Sequence, residues 1–271
     1  MRILWLIFIG WCVTSCDSNG PVKEFYETSS TFDQLVWYDE FDQDTLDSTK
    51  WSTVIGDGCP ALCGFGNNEL QYYTNSPENV KVSEGKLVIL AKRDHMGSSE
   101  YTSAKLISKG KGDWKYGRFE FKARVPDGKG TWPALWMMPT LDNIRWPNDG
   151  EIDIMEHVGY DPGVVHGAIH TENYNGMLGT QKVDSLNVAT ASEEFHVYAL
   201  EWEQDRLAWY IDETMFFELK KTDINEADWV FDKPFHLIMN LAVGGNWGGR
   251  HGVDASAFPQ TLEVDYVRVY Q

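Results

Sequence analysis

Seven consecutive residues carry most of the chemistry legible in this chain: Glu151, Ile152, Asp153, Ile154, Met155, Glu156 and His157. Three carboxylates alternate with aliphatic residues in an otherwise apolar segment, which reads as a β-strand. On a strand, residues two apart share a face. Glu151 and Asp153 therefore point one way, while Ile152 and Ile154 point into a core. Glu156 lies five residues from Glu151, and that odd spacing would turn it inward, where an unpaired carboxylate is costly. One extra residue, a β-bulge near Ile154 and Met155, returns Glu156 to the face of the other two acids. His157 then points away from that face and reads as a buried histidine rather than a metal ligand.

Two carboxyl groups on one face suit glycoside hydrolysis. One attacks the sugar or activates water, and the other protonates the leaving oxygen. A third carboxylate between them raises the pKa of its neighbour and keeps an acid protonated near neutral pH. The competing reading is a solvated acidic face on an edge strand. The central aliphatic residues and the tryptophan-rich flanks argue against it.

The elements that must position these acids are short and alternating. Residues 86–91, 117–125, 195–202, 207–211 and 262–269 pair apolar with polar positions and are rich in β-branched and aromatic residues. No long window has helical period, and residues 223–228 alone read as one short helix. An all-β chain of this size implies two packed sheets, a sandwich or jelly roll. Aromatic residues reach 14%, with 12 Trp, enough to fill a wide core and still leave rings to stack on the apolar faces of sugars.

The run from Glu151 to Glu156 resembles the E-x-D-x-x-E signature of glycoside hydrolase family 16. Residues 130–139 (GTWPALWMMP) resemble the strand preceding the catalytic strand in laminarinase-like members. Residues 64–74 (GFGNNELQYYT) resemble their N-terminal cleft loop, and residues 165–171 and 240–247 also fit. The likeness spans residues 35–271, with five motifs in order.

The resemblance implies a concanavalin A-like β-jelly-roll sandwich with a concave cleft and a retaining mechanism. Glu151 would be the nucleophile, Glu156 the general acid/base and Asp153 the assisting carboxylate, with no cofactor for catalysis. Retention asks for carboxyl groups about 5–5.5 Å apart, which the spacing allows. The lichenase branch has the shorter E-x-D-x-E, while agarases and carrageenases share the longer form. The segment at residues 67–74 points to the laminarinase-like group, hence to β-1,3- or mixed-linkage β-glucan.

By the same carry-over, Asn67, Trp132 and Trp136 contact glucosyl units. Spacing puts both tryptophans on one face and by itself leaves core packing equally open. His166 and His170 share a face too, and His170 is the one expected in the cleft. Trp247 covers a distal subsite or caps the core. Lys105 stands where many relatives carry Arg, and an ammonium lacks the forked contact of a guanidinium, which puts a sugar contact there in doubt. The resemblance also implies a structural calcium ion on the convex side, held by Glu40, the Gly85 carbonyl and Asp265. Ordinary acidic residues on a terminal strand are the other reading.

The N-terminus reads as an export signal. A basic Arg2 precedes eleven apolar residues, 3–13, too few for a membrane span of roughly 20 and suited to a secretory signal. Val13, Thr14, Ser15 and Cys16 resemble a lipobox, so residues 1–15 are expected to be removed and Cys16 lipidated. An ordinary signal peptide with a chance cysteine is the alternative. Residues 16–30 read as the lipidated cysteine and a flexible tether, and residues 31–271 as one catalytic domain. The expected protein is an exported monomer, anchored at the cell envelope.

Cys59 and Cys63 remain in the mature chain, and in an oxidising compartment they read as a disulfide, with free thiols as the alternative. A zinc site would need more ligands at finger-like spacing. The net charge of −18 repels nucleic acid and anionic lipid and favours a neutral substrate over sulfated galactans. Three functions stay in view: a β-1,3-glucanase, a same-fold hydrolase of agar or carrageenan, and a non-catalytic glycan-binding lipoprotein. The last would need none of the three acids.

Overall fold

A computed structural model describes residues 30–271. The expected leader, Cys16 and all of the tether but Ser30 lie outside the described residues. Alternating sequence becomes strand along the chain. The first nine are β1 (Leu35–Asp39), β2 (Ser52–Val54), β3 (Gln71–Tyr73), β4 (Val80–Ser83), β5 (Lys86–Met96), β6 (Ser99–Ser103), β7 (Lys105–Ile107), β8 (Asp113–Trp114) and β9 (Gly117–Arg124). They are followed by β10 (Thr131–Pro139), β11 (Glu151–His157), β12 (Val164–His170), β13 (Lys182–Asn187), β14 (His196–Trp202), β15 (Arg206–Ile211), β16 (Thr214–Lys220), β17 (Phe235–Val243) and β18 (Gln260–Tyr270). Each alternating segment read from sequence falls on one of these strands, to within one residue at an end.

Ten strands make one sheet, in the order β16-β15-β14-β9-β18-β5-β6-β3, with β1 paired to β18 and β4 to β5. Eight make the other, in the order β13-β12-β11-β10-β17-β7-β2, with β8 on β17. The two inner faces supply the core of a jelly-roll sandwich. Leu135, Met137, Ile152, Ile154 and Met155 from the second sheet join Phe119, Phe121, Leu200, Trp202 and Trp209 from the first. The strand bearing the three acids is central in its sheet, flanked by β10 and β12, so its backbone is held on both sides.

Residues 223–228 do not form the single helix read from sequence. Lys221–Asp223 and Glu226–Asp228 are separate 3-10 turns, and Ile224 and Asn225 between them are extended. The cause is tertiary. The buried Asp228 carboxylate accepts from Thr171 Oγ1 (3.2 Å), Asn173 N (3.1 Å) and Asn173 Nδ2, which fixes the turn against the loop after β12. Cys59 and Cys63 form the expected disulfide, with Cα atoms 4.1 Å apart. It closes the turn just before the loop at residues 64–70.

Candidate active site

The bulge deduced from the five-residue spacing is present. Against β12, Asp153 pairs with Ala168 and Glu156 with His166, so Ile154 and Met155 oppose Gly167. Against β10, the register slips between Leu135 and Trp136. Ile154 and Met155 are both buried in the core. Glu156 thereby rejoins the face of Glu151 and Asp153. Glu151 and Glu156 are half-buried and Asp153 is buried.

Each glutamate receives one indole N–H. Trp132 Nε1 donates to Glu156 Oε1 at 2.9 Å, and Trp146 Nε1 donates to Glu151 Oε2 at 2.8 Å. Between them, His170 Nε2 lies 3.2 Å from Asp153 Oδ2 and 3.9 Å from Glu151 Oε1. His170 Nδ1 accepts from the Gly176 amide at 3.2 Å. Ligand atoms of Glu151, Asp153 and His170 lie within 4.8 Å of one another, so these are the described side chains closest to a metal-binding set.

The electrostatics of this cluster favour a protonated acid. Burial, then the charge of Asp153, raises Glu156 to about 8 and raises Glu151 as well. His170 draws both glutamates down and Lys105 acts on Glu151 as well, yet burial and Asp153 keep both raised to about 8. The coupled pair therefore retains a proton near neutral pH. Burial disfavours a charged His170, but the hydrogen bond and charge of Asp153, reinforced by both glutamates, push it up to about 9. The Gly176 N–H opposes that shift, because a second ring proton would sit at the nitrogen it donates to.

Around the acids, the expected sugar-contact residues come together. Trp132 and Trp136 sit half-buried on the acid-bearing face of β10. Trp136 donates its indole N–H to Asn240 Oδ1 at 2.6 Å, and Trp132 meets Trp247 edge-on at 5.5 Å. His166 packs on Trp247 at 5.0 Å. The Asn67 carbonyl accepts from Asn246 N at 2.7 Å, joining the N-terminal loop to the loop of Trp247. Lys105 also lies here, its Nζ 4.6 Å from the Trp136 ring and 5.2 Å from the Phe65 ring. Burial depresses its pKa, and Glu69 and Glu151 oppose that shift.

Residues 67–268 match the family described as glycosyl hydrolases family 16. This chain belongs to glycosyl hydrolase family 16. It is 51% identical to a β-glucanase of Rhodothermus marinus over 88% of this chain and 85% of that protein. The crystal structure of the laminarinase from Rhodothermus marinus superposes with a TM-score of 0.83 at 49% identity, covering 88% of this chain and 97% of that one. A non-specific endo-β-1,3(4)-glucanase of family 16, co-crystallised with 1,3-β-D-cellotriosyl-glucose, gives a TM-score of 0.84 at 42% identity, covering 90% and 96%. The protein is therefore a family 16 glycoside hydrolase, with laminarinases and β-glucanases among its relatives.

Within this family member, three site residues escaped the sequence reading. Trp146, which holds Glu151, stands five residues before it and is 39% exposed; its Trp-Pro step was the available sign. Asn240 is a lone amide in the apolar strand β17, and such a residue on a buried strand needs a partner. Glu69, raised by burial, accepts from Gln71 Nε2 at 2.6 Å and sits near Lys105.

The residues expected to hold calcium lie on the convex side. Strand register brings the ends of β1 and the β4–β5 turn beside the bulge of β18 at Asp265. Yet Glu40 engages Arg268 through both oxygens, at 2.8 and 3.1 Å. Asp265 Oδ2 lies 3.2 Å from Lys122 Nζ. Calcium needs six to eight oxygens, and in this arrangement both carboxylates face cationic side chains. No step of the chemistry passes through it.

Proposed function

We propose that this protein is a retaining endo-β-1,3-glucanase acting on laminarin-type glucans, including mixed β-1,3/1,4 chains. The observation that carries the reading is the bulged strand with Glu151 and Glu156 on one face and Asp153 between them. Glu151 attacks the anomeric carbon, and Glu156 gives its proton to the departing glycosidic oxygen. The covalent glycosyl-enzyme is then opened by water, which Glu156 deprotonates in its turn. Trp146 and His170 steady the carboxylate of Glu151, while Trp132 and Trp136 offer ring faces to the glucan.

The choice of glucan rests on the laminarinase-like relatives and on charge. The chain is strongly acidic overall, and a sulfated galactan would seek basic subsites. The test is hydrolysis of laminarin, curdlan, lichenan and agarose by the wild-type protein and by Glu151→Ser. Cleavage of laminarin that vanishes in the variant is expected. Agarose as the preferred substrate, or full turnover by Glu151→Ser, would overturn the reading.

We also infer export and anchoring through a lipid on Cys16. Support comes from the apolar run at residues 3–13 and the small residues before the cysteine. Cys16→Ser should release the protein from the membrane fraction. An unchanged distribution would remove the anchor from the reading.

A further inference from the structure

The bulge in β11 creates a local problem. A bulge inserts a residue that the partner strand cannot match, and it interrupts the ladder there. A buried backbone carbonyl without a partner is unfavourable. At this bulge the carbonyl of Asp153 is met from across the sandwich. Trp209 on β15, in the opposite sheet, donates its indole N–H to Asp153 O at 2.7 Å. Trp209 is fully buried and stacked on Phe217 at 4.5 Å, so its ring has little freedom to follow a shifted backbone.

The neighbouring strand makes room for that reach. Gly167 opposes the two bulged residues. A Cβ there would lie 2.6 Å from Trp209 Cδ1 and 3.0 Å from its Nε1, well inside contact distance. Glycine at 167 is therefore a condition for the indole to approach the bulge. The placement is specific. Trp202, equally buried in the same sheet, spends its N–H on Phe231 O at 3.1 Å, away from the acids.

We propose that Trp209 is a positioning residue for the hydrolytic reaction, one that pins the Asp153 carbonyl across the sandwich and so holds the bulge that aligns Glu156 with Glu151. It touches neither substrate nor the reacting carboxylates. Its effect passes through the backbone of Asp153, where the spacing of the two glutamates is set. A shift of about 1 Å in such a frame costs on the order of 10²-fold in rate. The proposal rests on the hydrolase reading above, and the test separates the two.

The test compares kcat, KM and the pH profile for wild type, Trp209→Phe and the control Trp202→Phe, each with its melting temperature. Activity is first secured with the wild-type protein on laminarin, lichenan and agarose, and the ratios are read on whichever is cleaved. The glucan assignment can then fail without touching Trp209. Trp209→Phe should lose about 10²-fold in kcat with KM within about threefold and a displaced alkaline limb. Trp202→Phe, with a comparable loss of melting temperature, should keep kcat within about threefold of wild type. Replacement of Trp209 by benzothienylalanine, which keeps the ring shape without the N–H, guards against collapse of the smaller side chain and should reproduce the kcat loss. Wild-type kcat in either folded Trp209 variant, or equal kcat losses in the Trp209 and Trp202 variants, would overturn the proposal.

Discussion

Trp132 Nε1 donates to Glu156 Oε1 across 2.9 Å, from the strand next to the one that bears the acid. An N–H donor favours the charged carboxylate, so this contact opposes the burial and the Asp153 charge that raise Glu156. Trp132→Phe should therefore move the alkaline limb of kcat/KM upward, by about one unit. The falling limb reports the essential acid of the free enzyme. An unmoved limb would separate Trp132 from the acid.

Asp153→Asn works in the opposite sense. It removes the charge that, after burial, most raises Glu156. The alkaline limb should move down by about one unit or more, and kcat should fall at neutral pH as Glu156 loses its proton. A pH–rate series with laminarin reads both effects.

The unequal roles of the glutamates can be read from product chemistry. Glu151→Gly and Glu156→Ala should each lower kcat by at least about 10³-fold. Azide should rescue the first by direct displacement, giving an α-glycosyl azide. In the second it should intercept the glycosyl-enzyme and give the β-anomer. Product configuration by NMR checks the assignment, and exchanged anomers would reverse the roles.

Stability should fall as pH rises above about 6.5, because Glu151 and Glu156, both raised to about 8, lose their contribution in the same direction as His170. Burial depresses His157 and His236 to about 4. Their contribution is present above the unfolded value and is lost as pH falls from about 6.5 toward 4. His170, raised to about 9, contributes fully below about 6.5 and loses that contribution as pH rises through about 9. Melting temperature measured from pH 4 to 10 should fall most steeply above about 6.5, and His170→Gln should lessen that fall. A melting temperature that held level between pH 6.5 and 9 would contradict these environments.

The Cys59–Cys63 bond closes a very small loop, so its loss should cost less than about 3 kcal/mol of stability. The turn it closes leads into the loop carrying Asn67, which holds Asn246. The double Cys→Ser variant should show a raised KM for laminarin with kcat little changed. A kcat loss without a KM change would place the effect elsewhere.

How far the sequence carried can be judged residue by residue. The bulge was legible because Glu156 had to be either buried and unpaired or returned to the groove, and period-two geometry admits few solutions. Most strands were legible for the same reason. The short helix at residues 223–228 failed because Asp228 serves Asn173 and Thr171, which are more than fifty residues away in the chain. Trp146 and Asn240 were quoted or passed over without roles, since their partners are fixed only by how strands align. The ion pairs of Glu40 and Asp265 were equally hidden, because Arg268 and Lys122 reach them across the sheet.

The glycine opposite the bulge has a consequence for anyone who would graft this catalytic strand onto another scaffold. Copying residues 151–157 transfers the acids and the inserted residue. It does not transfer the gap at Gly167 through which an indole from the far sheet arrives. The smallest portable unit of this chemistry is therefore not a strand but a transect of the sandwich, two neighbouring strands and one ring from the other side.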